Sequence, residues 1–267
     1  MIEGNINKQQ DPKSNWLLNL DKIEDKTRRN YFSGLPPEHT LLDFFTYAFV
    51  INKPKGRVGG DGFWLHERGD DVYLALFTCV GEGHLAHMMI RIYMNALKRM
   101  VNEYAIDYPG SILQFVHGEV QSRFNNKNNI LLNTNANIGI VKVNLITKEM
   151  SFAGANMNLI QAARDGVRVI EGEKRQVGDT GASKTAYSSI ALTDTDTSSF
   201  YLCSSGVYNL IGGTSFKKLN MAEFSQHLAT IQRYPVSSQK EHVEEFLADW
   251  TGSNRQNDDI LVIGFTP

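Results

Sequence analysis

Four short segments set glycine beside acidic or hydroxyl-bearing residues at the ends of apolar runs. They are residues 58–64 (VGGDGFW), 77–83 (FTCVGEG), 203–209 (CSSGVYN) and 256–260 (QNDDI). Glycine lets a backbone approach a ligand closely, and carboxylates gathered at strand ends can hold a hard cation. The candidate ligands are Asp61, Glu82, Asp258 and Asp259. Lys55 and Arg57 lie just before Asp61, where they could meet an anion; the plainer reading is solvated loop charge. Gly, Asn and Asp are also ordinary turn residues, so spacing alone leaves the turn reading open. His84 and His87, three apart after Glu82, could form a His/Glu metal site or be surface or core histidines; they do not make the His-Glu-x-x-His pattern. Cys79 and Cys203 lie inside apolar runs and read as buried thiols.

The elements that must position these residues are mostly strands. Residues 44–51 are aromatic and β-branched; 63–67 and 72–77 flank a Gly-Asp-Asp turn signal. Residues 138–145, 150–154, 158–163, 167–170, 187–192, 199–203 and 260–265 read as further strands. Helices are expected over 84–104, where Met88, Met89, Ile92, Leu97 and Met100 recur at helical spacing, and over 112–124, 221–233 and 238–250. Many antiparallel strands with two pairs of helices predict an α+β, four-layer α/β/β/α sandwich, two antiparallel sheets flanked by helices. Residues 1–37 form a separate polar segment with a helix over about 15–31, ended by Pro36-Pro37, before a main domain over 38–267. That helix either packs on the main domain or joins two copies in a homodimer.

Composition excludes several classes. Lys and Arg number 27 against 29 Asp and Glu, a net charge of −2 over 267 residues, which argues against a nucleic-acid partner. No apolar run approaches the ~20 residues of a membrane span. The first residues lack a secretory pattern, and two cysteines make no disulfide scaffold, so a cytoplasmic location is expected.

Five segments in order carry a resemblance. They are Lys53-Pro54-Lys55 leading to Gly60-Asp61-Gly62-Phe63-Trp64; Cys79-Val80-Gly81-Glu82-Gly83 opening a Met-rich helix; Phe152-Ala153-Gly154-Ala155-Asn156; Ser204-Ser205-Gly206-Val207-Tyr208; and Trp250-Thr251-Gly252 before residues 256–265 (QNDDILVIGF). From about Thr46 to Phe265 the chain resembles the PPM family of metal-dependent Ser/Thr protein phosphatases, in its bacterial SpoIIE-like branch. The resemblance implies the same four-layer sandwich and a pair of Mg²⁺ or Mn²⁺ ions. In that family the ions share a hydroxide that attacks phosphoserine or phosphothreonine. It implies catalytic roles for Asp61 and Asp258 and metal ligation by Asp61, Asp258 and Asp259, with Glu82 at the position of the motif histidine. Lys55 and Arg57 would face the phosphate.

The departures from the family pattern decide the functional expectation. The family's Asp-x-x-Gly-His-Gly reads Thr78-Cys79-Val80-Gly81-Glu82-Gly83 here, so the metal-bridging aspartate is Thr78. The Ser-Asp-Gly metal motif reads Ser204-Ser205-Gly206, and a following aspartate is Asn209. Losing two carboxylates from a site for two dications costs several kcal/mol of affinity, so Mg²⁺ or Mn²⁺ binding is expected to be weak or absent. The expected role is a pseudophosphatase, a binding or regulatory module in bacterial signalling whose protein partner is a phosphorylated regulator or its binding protein. The alternative is an active Mg/Mn-dependent Ser/Thr phosphatase acting on such a regulator, for example an anti-sigma-factor antagonist.

Overall fold

The computed structural model describes residues 33–56, 58–80, 83–124, 134–181 and 186–267. The expected helix over 15–31 lies outside the described residues, as do Arg57, Gly81 and Glu82. After a 3-10 turn over Glu38–Asp43 come β1 (Tyr47–Lys53), β2 (Asp61–Arg68) and β3 (Asp71–Cys79). Two helices follow, α1 (Gly83–Asn102) and α2 (Pro109–Phe124). The chain then forms β4 (Ala136–Asn144), β5 (Met150–Ala155), β6 (Leu159–Ala163), β7 (Gly166–Ile170), β8 (Ile190–Leu192) and β9 (Ser199–Cys203). A one-turn helix α3 (Ser205–Asn209) and the small hairpin β10 (Ile211–Gly212) and β11 (Lys217–Lys218) lead to α4 (Met221–Ile231) and α5 (Gln239–Thr251). Strand β12 (Ile260–Thr266) closes the fold.

Two five-stranded antiparallel sheets stack, one ordered β1-β12-β9-β6-β7 and the other β2-β3-β4-β5-β8. Central strands are covered on both faces and so read as unbroken apolar runs; residues 72–77 of β3 are all buried. One core cluster fills the space between the sheets and continues under α1 and α2. It joins Leu202, Ile263 and Phe265 of one sheet to Leu74, Phe77 and Ile140 of the other, and Leu97 and Val116 of the helices. A second cluster packs Phe49, Tyr201 and Val262 beneath Phe224, Leu228 and Val243 of α4 and α5. The layer order is therefore helix, sheet, sheet, helix, as the sequence predicts. Helix α4 begins with a capping box: Asn220 Oδ1 accepts from the Glu223 amide at 2.9 Å, and Glu223 Oε2 accepts from the Asn220 amide at 3.3 Å. Among the described residues, no helix is long and apolar enough to cross a membrane.

Two local expectations are corrected. Residues 187–189 are not strand, and β8 covers only Ile190–Leu192. The segment instead runs along the start of α2, where Ser189 Oγ accepts from the Gly110 amide at 2.8 Å and Tyr187 lies under the Arg175 guanidinium, 3.6 Å from its carbon to the ring centre. Residues 204–209 are not merely a loop: Ser205 opens α3.

The start of α3 presses against the chain entering β12. A Cβ on Gly206 would fall 1.7 Å from the Asp259 carbonyl oxygen, so only glycine fits without displacing backbone. Gly118, within α2, has open space around its would-be Cβ. Gly206→Ala is expected to lower stability in urea unfolding by about 2 kcal/mol or more. Gly118→Ala is expected to raise it by about 0.5–1 kcal/mol. Equal small effects at both positions would contradict the close approach.

Candidate functional site

One end of the sandwich gathers the polar residues that the sequence singles out. In the β2-β3-β4 register Asp61 pairs with Thr78, and Thr78 pairs with Asn137, so an acid, a hydroxyl and an amide form a row across three strands. Asn156, just past β5, extends the row by donating from Nδ2 to Asn137 Oδ1 at 2.8 Å. Gln176 Nε2 donates to the same oxygen at 2.8 Å. Asn156 holds a left-handed backbone (φ 52°), a conformation asparagine tolerates better than most residues. The facing sheet brings Ser204 at the end of β9 and Asp258-Asp259 before β12.

The three aspartates have different surroundings. Asp61 is 1% exposed. Burial pushes its carboxyl up to about 8; the Ser204 and Thr78 hydroxyls partly offset this, and the charges of Asp259 and Asp258 add to it. Asp259 Oδ1 accepts from the Lys55 amide at 2.7 Å and Oδ2 from the Gly60 amide at 2.6 Å. Asp259 thus pins the loop between β1 and β2. Asp258 Oδ2 accepts from Asn209 Nδ2 at 3.1 Å, and Lys218 Nζ donates to Asn209 Oδ1 at 2.9 Å, so the Asn209 amide relays a lysine to the carboxylate. Gln256 Nε2 clamps the same turn by donating to the carbonyls of Lys53 and Asp258, each at 2.7 Å. Ser204 Oγ accepts from the Leu261 amide at 2.9 Å.

Beside the row lies a cavity of about 460 Å³, with Asn137, Asn156, Asn158, Ser205 and Tyr208 on its walls and Glu171, Glu173 and Lys174 among its charged residues. Asn158 Oδ1 accepts from the Gly172 amide at 3.1 Å, holding this wall to the segment after β7. Cys203 also lines the cavity, and burial raises its thiol to about 12. Cys79 is buried as well, and burial followed by the Asp61 charge pushes its thiol up. Neither thiol is poised as a nucleophile at neutral pH, which fits the packing role expected from their apolar runs.

The structure brings together Asp61, Thr78, Asp258, Asp259 and Ser205 at this end and places the Lys55 backbone beside Asp259. Among the described residues, no group of three or more His, Cys, Asp or Glu is arranged to hold a metal ion, and this includes His87. Among the described residues, the carboxylates that this end offers to a hard cation are those of Asp61, Asp258 and Asp259. Asp259 already accepts from two backbone amides, and the described positions between it and Asp61 are hydroxyls and amides. What the arrangement offers is a hydrogen-bonding cleft of hydroxyls and amides edged by carboxylates. Asn137 is a residue that sequence reasoning missed: it lies at a strand start, and only pairing with Thr78 brings it into the site. The asparagine-rich residues 135–137 (NAN) before an apolar run were the available signal.

No family model and no curated protein sequence matches this chain. Solved structures do. The SiaA-PP2C domain of Pseudomonas aeruginosa matches with a TM-score of 0.81 at 24% identity, over 94% of this chain and 98% of that one. RsbX in complex with magnesium matches at a TM-score of 0.54 and 19% identity, over 82% of this chain and 94% of that one. A structure of the PP2C phosphatase domain and a regulatory-domain fragment of SpoIIE from Bacillus subtilis matches at 0.65 and 12% identity, over 82% of this chain and 62% of that one. The stacked sheets, their flanking helices and these likenesses together give the chain the fold of a PP2C-type (PPM) phosphatase domain.

Proposed function

We propose that this protein is a pseudophosphatase, a PP2C-type fold kept as a binding module for a signalling protein after loss of the phosphoester chemistry. The observation that supports this reading most is the row Asp61, Thr78, Asn137 and Asn156, in which one buried carboxyl stands among a hydroxyl and two amides. Two dications and an activated hydroxide need several anionic oxygens in one place. Ser205 and Asn209 are neutral as well, and each oxygen of Asp259 already accepts from a backbone amide. The cavity alongside suits a polar chain segment, which its amides and hydroxyls can grip by hydrogen bonds. Its charged walls balance two glutamates against one lysine, so nothing there selects a phosphate dianion by charge. The partner in this reading is a phosphorylated regulator, or the protein that binds one, held without hydrolysis in a partner-switching pathway. A working Mg/Mn-dependent Ser/Thr phosphatase using Asp61, Asp258, Asp259 and Glu82, with Lys55 and Arg57 toward the phosphate, is the second reading. The convergence of the three aspartates on one end of the sandwich favours it.

Mn²⁺ calorimetry with hydrolysis of a chromogenic phosphoester separates the two. The pseudophosphatase reading predicts no turnover and little Mn²⁺ uptake, and Thr78→Asp with Ser205→Asp is expected to raise Mn²⁺ affinity about tenfold or more. Mn²⁺-dependent hydrolysis by the unaltered protein, abolished by Asp61→Asn and Asp258→Asn, would establish the second reading instead.

The buried acid carries a pH signature. The folded Asp61 carboxyl keeps its proton to about pH 8, whereas an unfolded aspartate loses its proton near pH 4. Between these values the folded state binds more protons, so this group makes stability fall as pH rises. Asp61→Asn is expected to match the unaltered protein near pH 3.5 and to exceed it by about 2–5 kcal/mol near pH 8.5, read from urea midpoints. A variant that grows relatively less stable as pH rises would mean that Asp61 is ionised and paired in the fold.

A further inference from the structure

Three asparagines line the cavity of about 460 Å³, and their hydrogen bonds fix which atom of each amide stays unused. Asn137 is 8% exposed, and its Oδ1 accepts from two NH₂ groups, Asn156 Nδ2 and Gln176 Nε2, each at 2.8 Å. Its own NH₂ group is left over. Among the described residues Asn137 Nδ2 has no acceptor, and it is not sealed from solvent. Asn158 Oδ1 accepts from the Gly172 amide at 3.1 Å. A backbone N–H can only donate, so that oxygen is fixed and Nδ2 is the spare atom. Asn156 is used the opposite way: its Nδ2 donates to Asn137, which leaves Oδ1 to accept. Two spare donors and one spare acceptor therefore belong to the walls of one cavity. Water can meet these groups in the free protein; an occupant that displaces it must accept from two of them and donate to the third.

The frame that carries the amides is rigid. A Cβ on Gly154 or Gly172 would fall 2.0 or 2.2 Å from the Met157 carbonyl oxygen, so the chain between β5 and β6 is wedged between two glycine backbones. The amides are thus held in place before anything binds. The rest of the wall narrows the occupant. Glu171 and Glu173 stand against Lys174, which disfavours an anion, and spare donors outnumber spare acceptors, which disfavours a cation. Between the polar groups the wall is apolar, with Met157 and Met221 on it. Methionine thioethers adapt to side chains of differing shape. A peptide main chain has the matching pattern, uncharged and with a carbonyl and an N–H in each unit.

We propose that this cavity binds an extended peptide segment by its main chain, with Asn137 and Asn158 donating to its carbonyls and Asn156 accepting from one of its N–H groups. Resting on the binding-module role, this assignment makes the cleft a reader of main chain that gains nothing from a phosphate. Asn137 and Asn158 are then the residues that determine what it accepts.

NMR of the ¹⁵N-labelled full chain tests it, with EDTA present and two blocked tetrapeptides as probes, N-acetyl-Ala-Ser-Ala-Ala-amide and its phosphoserine form. The unphosphorylated peptide is expected to bind saturably below about 10 mM and to shift the side-chain NH₂ signals of Asn137 and Asn158. The phosphopeptide is expected to bind no tighter, and acetate and inorganic phosphate about tenfold more weakly or worse. Asn158→Asp keeps the oxygen that meets the Gly172 amide and replaces the donor with a second acceptor; it is expected to weaken peptide binding about tenfold. Asn137→Asp is expected to do the same, and the half-buried Asn158 position keeps the test sound if that change unfolds β4. No saturable peptide binding would overturn the proposal. So would a phosphopeptide that binds about tenfold tighter, or binding indifferent to Asn158→Asp. Mn²⁺-dependent hydrolysis of the phosphopeptide in a separate EDTA-free sample would instead overturn the binding-module role, an outcome that the EDTA titration cannot mimic.

Discussion

Asp61 opens β2 at the mouth of an apolar double sheet, and burying a carboxyl there is tolerable only if its charge is neutralised or suppressed. A fold that seats cations between its sheets can neutralise it with metal. This chain sets Thr78 and Asn137 beside it, groups that offer hydrogen bonds and no countercharge, and burial then favours the protonated acid. The neighbouring features are consistent with that choice. Asp259 accepts from the Lys55 and Gly60 amides and so fastens the loop before β2, and Asn209 couples Lys218 to Asp258.

The same packing that holds the site also limits how it can change. Gly206 lets α3 lie directly on the Asp259 carbonyl, so the segment carrying Ser205 is fixed relative to the aspartate turn. Asn137 receives amides from Asn156 and Gln176, which locks one wall of the cleft to the loops after β5 and β7. The cleft is thus a rigid hydrogen-bonding surface, a geometry that suits recognition of a polar segment. Partner binding without turnover follows from this arrangement in the proposed reading.

The layer architecture was legible in the sequence because central strands and paired helices leave strong patterns. The β3 run and the Met-rich periodicity of α1 both became the elements they predict. The order of five short motifs added the fold family, which no single motif could. Residues 187–189 (YSS) misled because they run straight into the apolar residues 190–192, whereas Ser189 caps α2 and Tyr187 stacks under Arg175, contacts set by tertiary structure. Thr78 and Ser205 could be singled out directly, but the partners around them could not. Asn137 enters the site through strand register alone, and the use of both Asp259 oxygens by backbone amides is invisible until the loop before β2 is folded.

The pseudophosphatase reading requires that too few negative oxygens stand here to hold two dications. Anomalous diffraction from a crystal soaked in manganese chloride, examined between Asp61 and Asp258, tests it most directly. The account predicts no manganese peak in that space at ordinary concentrations. Two well-occupied manganese ions there would contradict it.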